Sequence, residues 1–147
     1  MLFRSVYHFG APAASPQDST GYKTEPSAFK AVVNPASLIA SGAQFKGAET
    51  ITVPSTPALH LAPAQGLTVS AWVRIEAAQT QADLVALQES GKELVLGING
   101  TQAFANLTGM AVTQTGGNLT TGEWHHLVAR AGNGRLDLFV EIGRAHV

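Results

Sequence analysis

The chain has no cysteine, which excludes disulfides, thiolate nucleophiles and cysteine-ligated zinc centres at once. Charge is also scarce. Asp, Glu, Lys and Arg make up 13% of the 147 residues, against about 25% in an ordinary globular domain. Lys and Arg are scattered singly and the net charge is −1, so no basic stripe exists to neutralise phosphates, and nucleic acid is not an expected partner. No run approaches the roughly 18 apolar residues of a membrane span, and no charged-then-apolar leader opens the chain. Gly-x-Ser-x-Gly and Gly-rich phosphate loops are missing, which removes the common marks of a nucleophile elbow and a nucleotide site. No segment sustains a 3.6-residue period; the best helical candidate, Pro35 to Ala40, is short.

What is present is a 45% hydrophobic content, enough for the core of one domain. Short strand-like blocks are separated by turn residues, as in an antiparallel sandwich. The sequence predicts strands at Leu67–Ile75, Asp83–Gln88, Glu93–Ile98, Gln102–Leu107, Met110–Gln114, Glu123–Arg130 and Arg135–Val140. Ser90-Gly91, Asn99-Gly100 and Asn133-Gly134 read as hairpin turns, because these residues accept the positive φ that tight turns need. Further forward, Val6–Phe9 and Ile51–Val53 read as strands, the second ended by Pro54 and Pro57, neither of which can donate to a ladder.

Both ends look foreign. Glu141-Ile-Gly-Arg-Ala-His-Val147 can be encoded by the start of a common sequencing adapter, and Met1-Leu-Phe-Arg-Ser5 by its reverse complement. The expectation is that residues 1–5 and 141–147 are adapter-derived and that 6–140 is the native segment. Arg144 and His146 then carry no functional weight.

Leu67-Thr-Val-Ser-Ala-Trp-Val-Arg-Ile75, the later Gly122-Glu-Trp-His-His-Leu-Val-Ala-Arg130, and the hairpin into Leu136-Asp-Leu-Phe-Val140 together resemble the laminin-G-like jelly rolls of the concanavalin A superfamily. There one strand reads roughly Phe-Thr-Ile-Ser-Ala-Trp-Val-Lys, a later one Gly-x-Trp-His-His-Val-Ala, and a hairpin leads into Leu-Tyr-Val-Asp-Gly. Asp18-Ser-Thr-Gly21 stands in for the family's Asp-x-Ser-Gly loop, and Ala43-Gln-Phe-Lys-Gly47 for its Ala-Leu-x-Phe-x-Gly segment. The resemblance implies an all-β, antiparallel two-sheet jelly-roll sandwich. It also implies further strands beyond Val140, so the expected domain is incomplete and its unfinished sheet exposes an edge prone to self-association.

The candidate residues follow from alternation and from that resemblance. Leu67, Val69, Ala71, Val73 and Ile75 share the core face of one strand, while Thr68, Ser70, Trp72 and Arg74 share the other. Trp72 is the candidate ligand contact, since an exposed indole can stack on a pyranose; its alternative is structural packing. Gly122, Trp124, His125 and His126 form the structural block. The two histidines are adjacent on a strand and point to opposite faces, so they cannot share a metal. The expectation is one buried, hydrogen-bonded His, the other nearer solvent, and Trp124 in the core.

Asp18 is the calcium candidate, with Asp83 and Asn99 as partners only if the fold brings them together; a turn-forming role is the alternative. His8 and His60 stand alone. Asn99, Asn106 and Asn118 begin formal glycosylation sequons. Glycoside hydrolysis needs two carboxyl groups, and the superfamily hydrolases' Glu-x-Asp-x-x-Glu strand is absent, with Glu89 and Glu93 flanking a turn instead. The expectation is a non-catalytic module of a larger, multidomain, extracytoplasmic protein, with glycans or cell-surface polymers as partners. Two alternatives remain: a periplasmic sensor or structural arm of a bacterial envelope proton-channel protein, to which Val6–Phe9 and Pro16–Thr20 look similar, and an accessory domain of a carbohydrate-active enzyme.

Overall fold

A computed structural model describes residues 5–9, 16–38, 41–60, 66–113 and 118–141. The chain divides into two compact units, Met1–His60 and Leu61–Val147. All strand pairing is antiparallel. The topology is the all-β, multi-sheet arrangement of a jelly-roll sandwich.

The N-terminal unit is built from short ribbons. Strand β1 (Tyr7–His8) pairs with β2 (Gln17–Asp18), β3 (Ala28–Phe29) with β6 (Ile51–Thr52), and β4 (Val32–Asn34) with β5 (Gly42–Gln44). The rings of Phe9 and Phe29 stack at 6.4 Å. Among the described residues of this unit, none of the buried side chains is a large apolar one; Asp18 and Thr24 are buried instead. The helix expected at Pro35–Ala40 does not form over Pro35–Leu38, which is bent chain, and residues 39–40 lie outside the described residues. The Asn34 carboxamide accepts the Ala36 N–H, a local turn that competes with helix. The described helical turn is a single 3₁₀ turn, Pro57–Leu59, where Pro57 pre-sets the backbone.

The C-terminal unit is a two-layer sandwich. One sheet runs β11 (Met110–Thr113), β10 (Gln102–Leu107), β9 (Lys92–Gly100), β8 (Gln79–Glu89); the other runs β13 (Arg135–Val140), β12 (Trp124–Gly132), β7 (Leu67–Arg74). Leu94, Leu96, Ile98, Ala103 and Ala105 from the first meet Leu127, Ala129, Ala131 and Leu136 from the second. Each fully buried Leu or Ile contributes about 2 kcal/mol by leaving water. The alternation expected for β7 is observed residue by residue, with exposed positions at Thr68, Ser70, Trp72 and Arg74.

Boundaries differ in places. β8 starts at Gln79, four residues before the expected Asp83, because its polar first half pairs with β9 through two register shifts. The turn expected at Asn99-Gly100 sits one residue later: Asn99 already faces Gln102, leaving Gly100-Thr101 as the loop. Gln114, the expected end of β11, lies outside the described residues, as do residues 1–4 and 142–147 of the adapter-like ends; Ser5 and Glu141 are described.

Candidate functional site

The exposed face of the β13–β12–β7 sheet carries both tryptophans together with His126, Phe139, Arg74 and Arg130. Register sets His126 opposite Trp72 and Trp124 opposite Arg74. The Trp72 and His126 rings stack at 4.9 Å between centroids with planes 23° apart. That separation matches the spacing of adjacent strands, so the rings are stacked along the direction in which the strands pair. One indole face is covered by imidazole, and Trp72 remains 51% exposed. Beside this stack Val128 faces Phe139, and Arg130 faces Asp137. The Arg130 guanidinium lies 5.4 Å from the centre of the Phe139 ring and donates to the Asp137 carboxylate at 2.8 Å. The Arg130 hydrogen bond, aided by the charges of Arg130 and Arg135, holds Asp137 below the usual carboxylate range. Arg74 donates through Nε to Glu76 at 2.8 Å. The cations of this face are thus paired with carboxylates, and the free chemistry it offers is aromatic.

Trp124 corrects an expectation. It lies on this outer side with His126, half-buried, and not in the core. Strand parity decides this: Leu127 and Ala129 face the core, so residues 124, 126 and 128 face away. The same parity was readable from the sequence once Leu127 was fixed as core.

The histidine pair divides as expected. His125 is buried on the core side, 4% exposed, while His126 faces outward. Nε2 of His125 lies 2.9 Å from the Thr120 carbonyl, and Nδ1 meets the Glu141 carboxylate. Both partners are acceptors, which locks the ring. Glu141 is a contact that sequence reasoning placed outside the native segment; its own N–H donates to the His126 carbonyl, and its φ of 62° lies in the left-handed region. Gly122, with φ of 79°, makes the turn before β12 and donates its N–H to Ile75. Only glycine takes this backbone conformation freely.

Asp18 sits in the other unit and is fully buried. Oδ1 accepts the N–H groups of Val6 and Thr20 at 3.1 and 2.9 Å; Oδ2 accepts the Ser5 and Thr20 hydroxyls and the Thr24 N–H at 3.3, 3.0 and 2.9 Å. Burial alone would raise this carboxyl's pKa. The N–H groups of Thr20, Val6 and Thr24 and the Thr20 hydroxyl outweigh it and hold the group ionised, far below the usual carboxylate range. A carboxylate has about four lone-pair sites, and all are engaged by protein donors. This is the arrangement of a turn anchor, the alternative role read from the sequence. Asp83 pairs with Gly97 and Asn99 with Gln102, both in the C-terminal unit. Among the described residues no three His, Asp or Glu side chains gather as a metal centre would require.

An all-antiparallel sandwich of this topology defines the jelly-roll class of β-domain. The chain belongs to the concanavalin A-like lectin/glucanases superfamily, whose laminin G family model matches residues 45–141. No curated protein and no solved structure gives a significant match. No helix among the described residues is long and apolar enough to cross a membrane.

Proposed function

We propose that this chain is a non-catalytic recognition module that binds glycans or related surface polymers within a larger extracytoplasmic protein. The observation that carries the reading is Trp72, half-exposed on a sheet face and held upright by the His126 ring. A large apolar ring kept in water is a liability unless something covers it, and a rigid indole face suits the C–H face of a pyranose. Neutral sugars fit better than acidic ones, since Arg74 and Arg130 are engaged by Glu76 and Asp137. The carboxylates of this unit that pair with donors on their own sheet, Glu76, Asp137 and Glu93, are deployed as surface partners and not as a facing acid–base couple.

The test is titration of the chain with a panel of neutral and acidic polysaccharides, followed by tryptophan fluorescence and calorimetry. Binding by at least one neutral polymer is expected, weakened about tenfold in Trp72→Ala, the equivalent of one stacking contact of about 1.4 kcal/mol. Absence of binding across the panel, or equal binding by Trp72→Ala, would overturn the proposal.

A further inference from the structure

Two of the chain's five asparagines are followed by glycine, Asn99-Gly100 and Asn133-Gly134. This is the chemically labile setting of an asparagine, because a following residue without Cβ lets its peptide nitrogen swing onto the carboxamide carbon. The other three are guarded. Asn34 precedes Pro35, which has no N–H, and Asn106 and Asn118 precede Leu107 and Leu119, whose side chains crowd that approach. As sequence the two Asn-Gly pairs are equivalent, and both asparagines are exposed. The backbone separates them.

Asn99 and Gly100 end β9 inside the ladder. The Thr108 N–H donates to the Glu93 carbonyl at 3.0 Å, which aims the peptide groups of Glu93 at β10. In an extended strand, alternate residues turn their N–H and C=O to opposite sides. Val95, Gly97 and Asn99 therefore also face β10, whereas Leu94, Leu96, Ile98 and Gly100 face β8. Gly100 pairs there with Gln79, so its nitrogen is held in the sheet, and Asn99 is fixed against Gln102. The Thr101 carbonyl accepts the Leu119 N–H at 2.8 Å and pins the same turn from outside. Asn133 and Gly134 instead form a two-residue loop closed by Gly132 and Arg135. Their φ values of 52° and 70° are those of the primed turn that such loops adopt. Both lie beyond the ends of β12 and β13, and the Gly134 N–H has no ladder partner.

We infer that Asn133 is a site of spontaneous modification in the folded chain, passing through a succinimide to aspartate and isoaspartate, while Asn99 is protected by its sheet. Hydroxide takes the proton of the Gly134 peptide nitrogen, and that nitrogen attacks Cγ of Asn133. The new N–Cγ bond forms, the Cγ–Nδ2 bond breaks, and ammonia leaves with a proton from water. Water then opens the ring. Attack at the side-chain carbonyl gives aspartate, and attack at the main-chain carbonyl gives isoaspartate. Either product adds a negative charge to a chain whose net charge is −1. Isoaspartate also lengthens the loop by one backbone carbon, which a two-residue turn absorbs only by loosening the Gly132–Arg135 closing pair. The inference does not depend on the glycan reading, because its test reads covalent change and not ligand.

The experiment holds the whole chain at mildly alkaline pH, folded in buffer and unfolded in urea, and follows each asparagine by peptide mass mapping. Isoaspartate is counted by enzymatic carboxyl methylation with labelled S-adenosylmethionine. In urea, where neither turn persists, Asn99 and Asn133 should convert at similar rates. In the folded chain Asn133 should keep converting while Asn99 slows by at least about tenfold, because its glycine nitrogen is released only when the ladder opens. The acidic species that accumulates on isoelectric focusing of the folded chain should be missing in Asn133→Gln. Equal conversion of the two sites in the folded chain overturns the inference, as does an Asn133 that converts in urea and stops converting on folding. An acidic species that persists undiminished in folded Asn133→Gln overturns it too, by placing the reaction elsewhere.

Discussion

A carboxylate buried among three peptide N–H groups and two hydroxyls is more committed to structure than any other described side chain in the N-terminal unit. Asp18 ties Ser5, Val6, Thr20 and Thr24 to one point, and Tyr7 reinforces it by donating its hydroxyl to the Thr24 carbonyl at 2.6 Å. In Asp18→Asn, the carboxamide NH₂ must face donors that now have no acceptor. We expect a loss of about 2–4 kcal/mol, measured by urea unfolding followed through the tyrosine signal. Trp72 is the opposite case. Its ring is half in water, so Trp72→Ala removes one stack and lowers stability by only about 1 kcal/mol, while its effect on polysaccharide binding is larger. The sequence identified both positions, yet it left open whether Asp18 holds a turn or a cation. That distinction lies in how many donors converge on the carboxylate, and Val6 and Ser5 arrive from twelve or thirteen residues away.

At the scale of the element, β7, β12 and β13 were legible because alternation and the family's blocks agree, and Gln102–Leu107 and Arg135–Val140 match residue for residue. The start of β8 was not, because Gln79–Ala82 has no apolar alternation and is recruited by backbone pairing to the end of β9. Gly97 was equally silent. Its significance depends on register: Phe104 faces it across the β9–β10 ladder, and the phenyl ring fills the space a side chain would occupy. A Cβ at Gly97 would meet the Phe104 ring at 2.5 Å and the Ala82 carbonyl oxygen at 2.7 Å. The ring end can swing, but the carbonyl is backbone in the neighbouring strand. Gly97→Ala is therefore expected to destabilise the C-terminal unit by about 2 kcal/mol. Adding Phe104→Leu should recover only the part due to the ring, and full recovery in the double variant would show that the β8 contact does not resist.

For the molecule as a whole, the two units are stabilised by different physics, and the chain carries its own reporters of each. Both tyrosines, Tyr7 and Tyr22, fall in residues 1–60, and both tryptophans, Trp72 and Trp124, in residues 61–147. The described core of the C-terminal unit is apolar apart from His125, whereas Asp18 and Thr24 are the buried polar side chains of the N-terminal one. Acid should separate them. The folded Asp18 carboxyl titrates far below its ordinary value, which in the unfolded chain is about 3.9. Its contribution is therefore complete above about pH 4 and is lost as the pH falls from there toward the folded value. In the C-terminal unit Asp137 is also lowered, but it lies with Arg130 on the solvent side of its sheet, where such pairs contribute little. On acidification, near-ultraviolet dichroism should lose its tyrosine component first, while the tryptophan component persists to lower pH. In Asp18→Asn the tyrosine component should be weaker at neutral pH and nearly flat below about pH 4. Tyrosine and tryptophan signals that fall together at every pH, in both proteins, would show that the chain melts as one cooperative block and that the Asp18 network does not govern the acid limit of its own unit.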